Sequence, residues 1–248
     1  MADYKNNISS DEDEGRYEDT EVILDRYYQH INALGREGKH KECLSLCSKA
    51  IEIADDTRNP RLVKANIRMF MASIFKDLKK YELAILQVEE VLTTVKKREW
   101  SQLLLEYQEE YAEDEHWQGC SFRDREKYFE ALQFFDHSIK ICPNIQQFYI
   151  SRAICHLKMK NYKQCIYDCE EGHRCPGYSN PKCYLVQGIA FASLNKFVQA
   201  RACYKKVIQL DPFNETARHE FENTLKKTCL YADSDGPANT QFQLKPFY

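Results

Sequence analysis

The feature that most restricts the fold of this 248-residue chain is a pattern that returns after 34 and then 35 residues. Counting from Gly119, Phe122 follows at +3, Tyr128 at +9, Ala131 at +12, Phe135 at +16 and Ser138 at +19. From Ala153 the same offsets give His156, Tyr162, Cys165, Cys169 and Gly172, and from Gly188 they give Phe191, Phe197, Ala200, Tyr204 and Val207. Pro143, Pro176 and Pro212 mark the unit ends. Small residues at 0, +12 and +19 let two antiparallel helices approach closely, and the residues at +3, +9 and +16 fill the space between helices and between neighbouring hairpins. The spacings keep each set on one helical face. One such hairpin cannot bury its apolar face alone, whereas a stack of them can.

Two weaker copies lie upstream. From Ala72 the offsets give Phe75, Tyr81, Ala84, Val88 and Val91; from Ile31 they give Leu34, His40, Cys43, Cys47 and Ala50. Ile31 is large for a position that is otherwise small. The wider gaps leave DTRNPRL as a linker and REWSQLLLEYQEEY as an insertion, whose Trp100, Leu103, Leu104 and Tyr107 have helical spacing. Composition agrees with an all-helical chain: 8 Gly and 7 Pro are about half the usual share, so tight turns are few. Barrels, sandwiches and glycine-looped nucleotide folds are thereby disfavoured.

The pattern, including FYISRAICHLKMKNYKQCIYDCEEG and FVQARACYKKVIQLDP, resembles tetratricopeptide (TPR) repeats. That resemblance implies an α-solenoid of about five helical hairpins plus a C-terminal capping helix. The expected organisation is an acidic disordered arm at 1–20, two divergent hairpins at 21–98, a helical insertion at 99–111 and three repeats at 112–212. A capping helix at 213–230 and a flexible tail at 231–248 complete it. Residues 1–22 carry eight acids and two bases against a chain total of −3, so the body is mildly basic. This balance argues against general nucleic-acid affinity. No apolar run reaches the roughly 18 residues of a membrane span and no secretory signal is legible, so a cytoplasmic or nuclear setting with reduced thiols is expected.

Enzyme signatures are not found. GREGKH, at 35–40, is shorter than a phosphate loop and has His40 where a hydroxyl must meet Mg²⁺; a helix–helix turn explains it better. There is no G-x-S-x-G elbow, and His219–Glu220 lacks a second histidine. The chain is therefore read as non-catalytic and without cofactors. Cys169, His173, Cys175 and Cys183 are the best metal candidates, but their spacing matches no standard zinc pattern. Cys165 and Cys169 occupy the same packing positions as Cys43 and Cys47, so core cysteine is the reading adopted, with no metal. Cys175 and Cys183 read as loop residues with exposed thiols, and a zinc- or thiol-regulated sensor resting on the 165–183 cysteines is a third-ranked function. Ser9 and Ser10, each with an acid three residues on, are candidate phosphorylation sites.

In such arrays the first helix of each hairpin lines a concave channel, the expected binding surface. TPR co-chaperones that hold the acidic C-terminus of heat-shock chaperones use a carboxylate clamp of lysine, asparagine, asparagine, lysine and arginine. The resemblance in the last three repeats places those positions on His116, Cys120, Ser151, Lys182 and Val186, so only Lys182 is retained. Charge-assisted donors are what compensate a carboxylate for its lost hydration. Trp117, Ile150, Ile154, Leu185, Val186 and Ile189 make the rest of the channel apolar, with Arg123, Lys158 and Lys182 as a basic rim. This composition favours an amphipathic helix or extended hydrophobic peptide held by a protein–protein adaptor. The alternative is a heat-shock chaperone cofactor with a degenerate clamp. FQLKPFY, at 242–248, is a candidate to fold back into the channel.

Overall fold

The computed structural model describes residues 8–177 and 179–234, and all the regular elements among them are helices. Two compact units divide at 111/112. The first contains α1 (Ile8–Arg36), α2 (His40–Ile53), a 3₁₀ turn (Ala54–Asp56), α3 (Pro60–Asp77), α4 (Tyr81–Thr94) and the opening turns of α5 (Arg98–Asp124). The second contains the remainder of α5, then α6 (Tyr128–Ile141), α7 (Gln146–Lys158), α8 (Tyr162–Arg174), α9 (Pro181–Ser193), α10 (Phe197–Leu210) and α11 (Glu215–Ser234). In each unit consecutive helices pack as hairpins, and α7 also packs on α9.

Several boundaries differ from expectation. Residues 8–20, expected to be disordered, are helical within α1; residues 1–7 lie outside the described chain. Ser9 and Ser10 therefore stand on a helix. The insertion at 99–111 and the first helix of the next hairpin are one continuous helix, α5. The linker after α2 is shorter than DTRNPRL, because Pro60 starts α3 with Asn59 capping the Leu62 amide. The final helix continues to Ser234, four residues into the stretch expected as tail, and the FQLKPFY segment lies outside the described residues.

The turn inside each hairpin has one shared device. Gly38, Lys79, Glu126, Lys160 and Asn195 all have positive φ, between 56° and 72°, and each lies seven residues after its repeat origin. A left-handed residue there ends the first helix and redirects the chain into the second. Four of the five are not glycine, so they carry the steric cost of that conformation. Lys160→Gly is accordingly expected to stabilise the protein by about 0.5–1 kcal/mol in urea unfolding, the gain being limited by glycine's greater freedom in the unfolded chain.

The packing between the two helices of a hairpin is complementary in volume. Where the origin is glycine the residue at +16 is a large aromatic: a Cβ on Gly119 would lie 2.7 Å from the Phe135 ring, and one on Gly188 would lie 2.6 Å from the Tyr204 ring. Where the origin is alanine the +16 residue shrinks to Val88 beside Ala72 or Cys169 beside Ala153, each pair sharing a buried cluster. Where the origin is Ile31 the +16 residue is Cys47, again in one cluster. The bulk of Ile31 is thus compensated by a small residue at +16.

Candidate peptide-binding site

Three first helices of the second unit supply the face expected to bind: α5 beyond residue 112, α7 and α9. His116 and Ser151 join the first two, with Nε2 2.8 Å from Oγ. Cys120 Sγ is 3.6 Å from the same imidazole nitrogen, and the Gln147 amide donates to Ser151 Oγ at 3.4 Å. Three of the five clamp positions therefore satisfy one another. His116 is 9% exposed and lies between the Phe135 and Phe148 rings, at 5.5 and 5.0 Å. Burial, helped by nearby Arg123, pushes its pKa down to about 4. At neutral pH the position where a clamp lysine stands holds an uncharged group.

The depressed imidazole pKa links stability to pH. The folded protein prefers neutral His116, so this contribution is complete above the unfolded value near 6.5 and is lost as pH falls toward 4. The full effect is on the order of 3 kcal/mol. Urea unfolding from pH 7 to 4 is expected to show stability falling with acid, and His116→Gln to flatten the slope by up to one proton.

The other predicted residues separate into two groups. Ile150, Ser151 and Val186 are buried; Ile150 and Val186 belong to the core cluster of Ala153, Cys165, Cys169, Cys183 and Ala190. Their expected role as accessible channel lining is corrected: α8 and α9 close over Ile150, and Val186 faces the same interior. Trp117 is 71% exposed. Lys158 and Lys182 are exposed, while Cys120, Arg123, Ile154, Leu185 and Ile189 are partly covered. Arg123 pairs with Asp124 at 2.9 Å, which reduces its availability to an incoming anion. Of the expected site residues, the exposed ones are thus a tryptophan and two lysines, with aliphatic side chains partly covered.

Two arrangements in this unit escaped the sequence reading. Arg152 donates two hydrogen bonds to Asp168, at 3.1 and 2.6 Å, and one to Asp136 at 2.6 Å, bridging α6, α7 and α8. Cys183, expected to be an exposed loop thiol, is fully buried in the first turn of α9, while Cys175 is partly covered. Among the described residues no group of three or more His, Cys, Asp or Glu side chains has a geometry that would hold a metal ion. No helix among them is long and apolar enough to cross a membrane.

Stacked antiparallel hairpins with a shared register define a helical-repeat protein. The family model of the tetratricopeptide repeat matches residues 181–214, which comprise α9, α10 and the turn after them. Residues 181–214 thus match a tetratricopeptide repeat, and the hairpins before it continue its sequence register. The chain is 23% identical over 214 residues to stress-induced-phosphoprotein 1 of Caenorhabditis elegans, covering 81% of this chain and 65% of that protein. It is 28% identical over 199 residues to Hsp70-Hsp90 organizing protein 3 of Arabidopsis thaliana, covering 72% of this chain and 35% of that protein. The chain therefore spans less than two thirds of the length of these relatives. The first TPR of Spaghetti (RPAP3) bound to the HSP90 peptide SRMEEVD superposes with a TM-score of 0.47 at 23% identity, over 48% of this chain and 93% of that one.

Proposed function

We propose that this protein is a non-catalytic adaptor of the cytoplasm that holds a peptide or helix of a protein partner on the α5–α7–α9 face. The observation that carries this reading is the contrast between the clamp positions and their surroundings. His116, Cys120 and Ser151 are engaged with one another and Val186 is buried, whereas Trp117 and Lys182 remain open. A terminal carboxylate would meet one lysine where five polar groups are needed to replace its water. An exposed tryptophan with aliphatic neighbours is the kind of anchor that dominates protein interfaces. Neither nucleic acid nor membrane is the proposed partner, since the net charge is −3 and the two lysines form no basic track.

Calorimetric titration of the full-length chain with the free-acid peptide SRMEEVD tests the reading. The expected result is no binding tighter than about 1 mM. Micromolar binding abolished by Lys182→Ala would replace the proposal with the second reading, a heat-shock chaperone cofactor. That reading is favoured by the likeness to Hsp70-Hsp90 organizing proteins and by the retained Lys182. In parallel, Trp117→Ala is expected to weaken partner recovery at least about tenfold while leaving the circular dichroism unchanged, because the removed ring is mostly in water. Unchanged recovery would place the partner elsewhere.

A further inference from the structure

We propose that Cys183 is a peroxide-reactive thiol with Cys169 as its resolving partner, and that oxidation ties α8 to α9 through a disulfide. Cys183 is the third residue of α9, where the helix dipole and free amides favour a thiolate. Its Sγ lies 3.8 Å from His173 Nε2, and that imidazole is held by Gln187 Oε1 at 3.2 Å and stacked on the Tyr184 ring at 4.1 Å. Cys169, Cys165 and Cys183 share one buried cluster, and Cys183 Sγ is 3.5 Å from the Cys169 carbonyl oxygen. A thiol at a helix start, an imidazole beside it and a second thiol in the same buried cluster are the parts that thiol oxidation needs.

The other buried cysteines of the unit behave differently. Burial, the largest cause in each case, pushes Cys155 up to about 12 and Cys203 up to about 11, as suits inert packing groups. For Cys183 the hydrogen bond from the Cys169 thiol, together with His173, outweighs burial and holds the group below the ordinary thiol value. His173 is raised in return, chiefly by Cys183. Cys169 is raised by its thiol neighbours, so it retains its proton until it is needed.

The chemistry balances. With its proton on His173, the Cys183 thiolate attacks one oxygen of hydrogen peroxide; the S–O bond forms, the O–O bond breaks, and the departing hydroxide leaves as water with the proton from His173. Cys169 Sγ then attacks the sulfur of the resulting sulfenic acid. The S–S bond forms, the S–O bond breaks, and hydroxide departs as a second water with the Cys169 proton. Two thiols lose two electrons and one peroxide gains them. Cys183 is 0% exposed, so the rate follows the local opening that admits peroxide. Because α9 also carries Lys182, Leu185 and Ile189, the bond would fix one wall of the proposed binding face.

The test treats the reduced full-length protein with hydrogen peroxide, quenches at intervals and maps non-reduced tryptic peptides by mass spectrometry. Peptide 164–174 linked to peptide 183–196, with fragmentation placing the bond on Cys169, is expected to form about tenfold faster than Cys203 is modified in the same digest. His173→Gln is expected to slow the linkage about tenfold, and Cys183→Ser to abolish it, in variants whose circular dichroism matches the wild type. Oxidation of Cys183 no faster than of Cys203, linkage to Cys165 instead, no oxidation at all, or an undiminished rate in His173→Gln would overturn the proposal. The wild-type digest decides the first three outcomes without any variant.

Discussion

Replacing Asp168 with alanine is expected to destabilise the second unit by about 3–5 kcal/mol, measured by urea unfolding of the full-length chain. The Asp168 carboxylate is 2% exposed and is held by two Arg152 donors on α7, itself only 17% exposed. Removal leaves a mostly buried guanidinium with one remaining partner, Asp136, which is 62% exposed. Asp136→Ala should therefore cost about 1 kcal/mol or less, since a solvated pair is screened. The double replacement Arg152→Met with Asp168→Leu is expected to recover most of the loss, because an apolar pair of similar volume needs no desolvation. If Asp168→Ala and Asp136→Ala were equally mild, the bridge would contribute no more than a surface contact.

The second large effect concerns two isoleucines one helical turn apart. Ile150→Asp is expected to abolish cooperative unfolding of the second unit, a loss of more than about 4 kcal/mol, because an unpaired carboxylate would lie among Cys165, Cys169, Cys183 and Val186. Ile154→Asp, at a half-covered position on the same helix, should cost about 1–2 kcal/mol while weakening a partner held on the face. Thermal melts followed by circular dichroism separate the two. Equal melting temperatures would place Ile150 on the accessible face and reverse the assignment given above.

That pair also shows where sequence reading succeeds and where it stops. Helical periodicity gives the direction in which a side chain leaves its helix, so the residues of α5, α7 and α9 were assigned to one face. It does not show whether the neighbouring helix closes over that direction, and for Ile150, Ser151 and Val186 it does. The register was legible because volumes at the origin and at +16 are written in residue identity, even for Ile31 and Cys47. The turn device was not legible at Lys79, Glu126 or Lys160, since lysine and glutamate have no preference for positive φ. Arg152 and Asp168 were equally hidden, being 16 residues apart with nothing in either neighbourhood to single them out. Cys183 and His173 were singled out in the sequence as metal candidates, but their approach was not legible, since it arises because α9 is laid against the end of α8.

The reciprocal volumes at Gly119 and Phe135, Ala153 and Cys169, and Gly188 and Tyr204 have a bearing on how such a chain can be rearranged. Each first helix is cut to fit its own second helix, so the heritable unit is the whole hairpin. A crossover in the connections at 142–145 or 211–214 transfers matched partners together. One inside a hairpin would set Ala153 against Tyr204, forcing overlap, or Gly188 against Cys169, leaving a void. Chimaeras joined between hairpins should therefore fold, and those joined within them should not, which makes the turn a poor place to cut and the connection a good one.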